Sequence, residues 1–148
     1  GPDALVLEAN SRDYYERIHR MNDTALQLAE HLRDHPKVKR VYYPSLVTRD
    51  AFDAVRRFEG GYGPLMSIDL HDAANTTPKF YDALRCCKGP NLGTNFTLVC
   101  PYTILAHYGE LDWAESCGVS RYLMRISVGL EPAEELIARF DEALLSTE

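Results

Sequence analysis

In "YLMRISVGLE", residues 122–131, one arginine interrupts an apolar alternation of period two. If Met124, Ile126 and Val128 point inward, then Leu123, Arg125 and Ser127 point to the opposite face. A guanidinium mounted on a strand presents a planar fork that fits a carboxylate, and a strand fixes its direction more rigidly than a loop. The same placement suits a cross-strand ion pair with Asp69, whose own strand sends Ser67 and Asp69 away from Met66 and Ile68. From spacing alone both uses stand. "GPNLGTN", residues 89–95, carries two glycines among short polar residues, a turn able to aim N–H groups or a side-chain amide at an anion. "GGYGP", residues 60–64, lacks the lysine and following helix of a phosphate loop and reads as a plain turn before a strand. His107, near Tyr102, Tyr108 and Trp113, reads as a hydrogen-bonded structural imidazole, and His19, His31, His35 and His71 lack metal-ligand spacing. Cys86, Cys87, Cys100 and Cys117 form no C-x-x-C pair and read as reduced thiols, mostly in the core.

The elements that must carry these residues follow from periodicity. Tyr14, Ile18, Met21, Ala25, Leu28 and Leu32 recur at spacings of four and three, which predicts one long amphipathic helix from Asp3 to Arg33, ended by His35-Pro36. Three stretches alternate as strands, with Met66, Ile68 and Leu70, then Phe96, Leu98 and Cys100, then Met124, Ile126, Val128 and Leu130 each on one face. "VKRVYY", residues 38–43, fits an edge strand. A helix is expected after Thr77-Pro78 with Phe80, Leu84 and Cys87 on one side, and a second near Glu110 to Cys117 ending at Gly118. A last helix begins at Pro132 and buries Leu136, Phe140 and Leu144. The sum is an α+β fold of two layers: a small antiparallel or mixed sheet of about four strands, helices on one face, a long N-terminal helix, and a sheet face left for something else to cover.

At 148 residues and 45% apolar composition, one domain is expected. Gly1-Pro2 reads as the scar of tag removal, which makes 3–148 that domain. The balance of 22 acidic against 16 basic side chains, a formal charge of −6, argues against a nucleic-acid partner. No apolar run approaches the roughly 20 residues of a membrane span, and a cytoplasmic location is expected.

Taken together, "HPKVKRVYYPSL", "LGTNFTLVCPYTILAHYGELDWA" and "LMRISVGLE" resemble the C-terminal small domain of the cystathionine γ-synthases, fungal form, among the pyridoxal-phosphate enzymes of cysteine and methionine metabolism. The resemblance runs from Leu7 to Leu145, with the three blocks in the family's order. It implies a role in transsulfuration and methionine biosynthesis, through γ-replacement of the acyl group of an O-acyl-homoserine by cysteine. It implies that the arginine of the family's L-x-R-x-S-x-G-x-E block, here Arg125, grips the substrate α-carboxylate. It also implies that the family's S-L-G turn, here Asn91-Leu92-Gly93 with asparagine in place of serine, faces the same group. The family's cofactor lysine lies in a Ser-x-Thr-Lys segment of a separate large domain, and none of Lys37, Lys39, Lys79 or Lys88 has such surroundings. Pyridoxal phosphate is therefore expected in the parent enzyme and not on this chain alone, which is expected to be inactive and to depend on the large domain and a homo-oligomer. A non-catalytic module or pseudoenzyme that binds a protein partner through the same sheet face is the alternative, and a ferredoxin-like regulatory fold ranks behind both.

Overall fold

A computed structural model describes residues 1–147. Two helices open the chain, α1 (Pro2–Ser11) and α2 (Tyr14–Arg33), and the edge strand β1 (Val38–Tyr42) follows. Two short helices, α3 (Pro44–Val47) and α4 (Arg49–Asp53), lead to β2 (Leu65–Leu70) and α5 (Ala73–Ala83). The strands β3 (Cys87–Lys88) and β4 (Leu98–Pro101) precede α6 (Tyr102–His107), a 3-10 turn, and α7 (Leu111–Ser116). The chain closes with β5 (Met124–Ser127) and α8 (Ala133–Leu145).

The sheet has five strands in the order β1-β2-β5-β4-β3. Its first three pairings are antiparallel and β3 joins β4 in parallel, so it is mixed. One face carries Val41, Met66, Ile68, Leu70, Val99, Met124, Ile126 and Val128 against Leu28, Leu32, Phe80, Leu136, Phe140 and Leu144 from α2, α5 and α8. Phe80 and Phe140 meet at a centroid distance of 5.8 Å in the middle of this layer. Burying each large apolar side chain stabilises the fold by about 1.5–3 kcal/mol, so this single layer dominates its stability. The helices α2, α5 and α8 cover the face that the strand alternation predicts, while Tyr102 of α6 reaches over the other.

Four local expectations are corrected. The N-terminal helix is broken over Arg12 and Asp13; α1 buries nothing, whereas α2 buries Met21, Thr24, Ala25, Leu28, Ala29 and Leu32. Arg17 closes the break by donating to the Asp13 carboxylate at 2.9 Å and to the Asn10 carbonyl at 2.7 Å. The sheet has a fifth strand at Cys87–Lys88, too short to show alternation, and Cys87 lies there rather than on a helix. In β4 the residue facing the helices is Val99, whereas Leu98 and Cys100 share the opposite face with Ser127 and Arg125, and Phe96 lies outside the strand. Leu98, Val99 and Cys100 are all buried, so the run is apolar on both faces and its alternation carries no phase. Finally, α5 starts at Ala73 and contains Pro78 inside, since Asp72, at φ 48°, already accepts the N–H groups of Asn75 and Thr76.

The cysteines are all free, but Cys87 and Cys117 are exposed, so fewer lie in the core than expected. Burial pushes the Cys86 thiol up to about 11 and also raises Cys100. The thiolate is the reactive form. Iodoacetamide at pH 8 is therefore expected to label Cys87 and Cys117 before Cys86 and Cys100, read by peptide mass spectrometry; equal rates at all four would contradict this burial pattern. No helix among the described residues is long and apolar enough to cross a membrane.

Candidate functional site

Strand β5 sets the geometry. Met124 and Ile126 are fully buried toward the helices, which turns Arg125 and Ser127 to the other face. Arg125 stands opposite Ser67 on β2 and Cys100 on β4, in the middle of the sheet. The cross-strand pairing with Asp69 is not formed. Asp69 stands opposite Arg40, and one of its carboxylate oxygens accepts the Tyr42 hydroxyl at 3.0 Å. Burial, and after it Asp69, push the Tyr42 phenol above its usual range.

The Arg125 guanidinium lies 5.2 Å from the centroid of the Tyr102 ring, and its Nη2 donates to the Pro90 carbonyl and, at 3.3 Å, to the Asn91 carbonyl. Among the described residues no carboxylate forms an ion pair with it. Carbonyl oxygens and a ring face orient a guanidinium without neutralising it, so a full positive charge is held in a defined direction. Arginine has five N–H donors, and the turn engages only one of its terminal nitrogens. Cys100 lies beneath, its thiol raised by burial and partly lowered by the arginine.

The structure thus brings Arg125 and the 91–93 turn together. Asn91 meets the arginine through its backbone carbonyl, and its side chain is exposed, as is that of Leu92. The Gly93 N–H does not point outward to an anion, because it donates to the Ser127 hydroxyl at 3.1 Å. Gly93 has φ +75°, a left-handed conformation that glycine adopts without strain.

The alternate residues that follow Arg125 hold the rest of the loop. Ser127 takes Gly93, the Gly129 N–H donates to Thr97 Oγ1 at 3.0 Å, and Glu131 accepts from the Thr97 N–H and hydroxyl at 2.7 and 2.8 Å. The Leu130 N–H adds a bond to the Asn95 carbonyl at 2.8 Å. From the other side, Arg17 donates to Asn95 Oδ1 at 3.3 Å. Sequence reasoning passed over Tyr102, Thr97 and Glu131. Glu131 continues the parity of 125, 127 and 129, whereas Thr97 shares the parity of the helix-facing Val99 and Tyr102 already opens α6, so periodicity singles out neither. His107 is hydrogen-bonded as expected, with Nδ1 2.7 Å from Glu110 Oε1 and its ring beside Tyr102 and Trp113.

A pyridoxal-phosphate site would need a lysine aimed at the region in front of Arg125. Lys88, the lysine nearest the turn in sequence, instead donates to the Asp82 carbonyl at 3.2 Å and lies over the Tyr81 ring, and Lys37 donates to the Leu144 carbonyl at 2.9 Å. Lys39 lines a separate cleft with Arg40, Tyr42 and Asp69. None of these three lysines is placed to hold the cofactor in front of Arg125. No group of three or more His, Cys, Asp or Glu side chains among the described residues is arranged to hold a metal ion.

Comparison with known proteins places the chain in a family. Residues 14–145 match the family model of the Cys/Met metabolism PLP-dependent enzymes. Cystathionine gamma-synthase of Neurospora crassa is 51% identical over 143 residues, covering 96% of this chain and 23% of that protein. The Saccharomyces cerevisiae cystathionine gamma-synthase is 45% identical over 151 residues, again covering 96% and 23%. The crystal structure of cystathionine gamma synthase from Xanthomonas oryzae pv. oryzae, in complex with cystathionine, superposes with a TM-score of 0.81 at 28% identity, over 92% of this chain and 36% of that one. The chain spans about a quarter of the length of the curated relatives it matches. By the extent of that match, this chain belongs to the Cys/Met metabolism PLP-dependent enzyme family.

Proposed function

We propose that residues 3–148 form the C-terminal small domain of a cystathionine γ-synthase-like enzyme and supply its substrate-carboxylate site. Arg125 takes the α-carboxylate of an O-acyl-homoserine through its remaining donors, and the Asn91-Leu92-Gly93 turn closes beside it. The observation that carries this reading is the guanidinium itself, fixed on the face away from the helices by two carbonyls and a ring, and left uncompensated by any carboxylate of the described residues. Pyridoxal phosphate, held outside this chain in the parent enzyme, would supply the electron sink for γ-replacement by cysteine. The part of this chain is orientation: a carboxylate gripped at one end leaves the reacting carbons in a fixed position relative to the large domain.

The reading requires that this chain be inactive alone and necessary to its partner. Mixing it with a separately produced large domain is expected to yield cystathionine from O-acyl-homoserine and cysteine, with neither piece active by itself. A large domain that turns over at the same rate with and without this chain would overturn the assignment.

A further inference from the structure

Glu131 is a half-buried carboxylate that gives both oxygens to one neutral residue. Oε1 accepts the Thr97 N–H at 2.7 Å and Oε2 accepts the Thr97 hydroxyl at 2.8 Å. Thr97 is fully buried, and its Oγ1 also accepts the Gly129 N–H at 3.0 Å, so the three residues form a closed network. The backbone carbonyl of Glu131 accepts the Thr24 hydroxyl at 3.4 Å, which ties the network to α2. Among the described residues Glu131 has no cationic partner. A carboxylate placed this way adds no charge compensation, and charge-assisted bonds to a backbone N–H instead fix position with short, directional contacts.

What it fixes is the far end of the loop whose near end touches Arg125. Pro90 and Asn91 are held by Arg125, Gly93 by Ser127, and Thr97 by Glu131, all from one run of seven residues in the order 125, 127, 131. Loosening Thr97 frees the loop to slide along β5 and withdraws the two carbonyls that aim the guanidinium. We infer that Glu131 is a positioning residue for carboxylate recognition by Arg125, acting through Thr97 and the 90–97 loop. This inference rests on the carboxylate-binding reading of Arg125.

The test uses the full-length protein that contains this chain, assayed with O-acyl-homoserine and cysteine. Glu131→Ala is expected to raise the KM for O-acyl-homoserine about tenfold while kcat changes by less than about twofold, the pattern of lost binding rather than lost chemistry. Glu131→Gln keeps an acceptor for the Thr97 N–H and is expected to recover most of the loss. Thr97→Val, which conserves volume and removes only the hydroxyl, is expected to fall between the two. In parallel, hydrogen exchange at the amides of Gly93 and Thr97 is expected to accelerate in Glu131→Ala while that of Ile126 stays slow. An unchanged KM in Glu131→Ala, or a fall in kcat and melting temperature with KM constant, overturns the inference. If Arg125→Lys itself leaves KM unchanged, the carboxylate-binding reading fails, whereas unchanged exchange at Thr97 shows that Glu131 does not brace the loop, so the two failures are distinct.

Discussion

Arg125→Lys in the full-length protein is expected to weaken amino-acid substrate binding about a hundredfold, with cofactor content unchanged. Hydrogen bonds to charged groups contribute about 1.5–3 kcal/mol each, and a hundredfold corresponds to about 2.7 kcal/mol, so losing one prong of a two-pronged contact accounts for the effect. Lysine brings a second loss. Its ammonium has three donors on a flexible stem and cannot serve the Pro90 and Asn91 carbonyls, lie flat on Tyr102 and meet a carboxylate together. KM for O-acyl-homoserine, measured beside the absorbance of bound cofactor, separates the outcomes. A KM equal to that of the parent protein would reduce Arg125 to a structural clip on the 90–91 turn.

The face of Arg125 was legible because its neighbours had strong parity. Met124 and Ile126 on β5, Val128 just beyond it, and Met66, Ile68 and Leu70 on β2 are buried together, and a one-residue slip in either strand would have turned them away from the helices. The same holds for Leu28 and Leu32 on α2 and Leu136, Phe140 and Leu144 on α8, where helical spacing and burial coincide. Parity failed where both sides are covered. Leu98 and Cys100 are buried under the loop while Val99 is buried under the helices, so the composition of β4 could not say which side was which. It also failed where the deciding partner is distant in sequence. Nothing near Asn10 marks the helix break, which Arg17 closes from the next turn, and nothing near Thr97 announces Glu131. The site shows the same division. The residue type and direction of Arg125 are local facts, whereas the loop that aims it is held by contacts between residues far apart along the chain.

Gly129→Ala is expected to destabilise the domain by about 3 kcal/mol, at the upper end of the overpacking range, because its only added atom has nowhere to go. A Cβ at that position would sit 2.4 Å from the Phe96 carbonyl carbon and 2.6 Å from both the Phe96 Cα and Glu131 Oε2. Phe96 meets it with backbone, which cannot rotate away as a side chain tip can. Relief requires moving the 93–97 segment off β5, and that movement breaks the Gly129-to-Thr97 and Glu131-to-Thr97 bonds. At about 2–4 °C per kcal/mol for a chain of this size, the melting temperature should fall by roughly 6–12 °C. Gly89→Ala is the matched control, since a Cβ there meets only the flexible Leu98 Cδ2 at 3.7 Å, and its melting temperature should stay close to that of the parent. The comparison isolates close packing from the general effect of losing a glycine. Equal melting temperatures for the two variants would mean that the loop is not seated against β5 as described, and the support it gives to Arg125 would go with it.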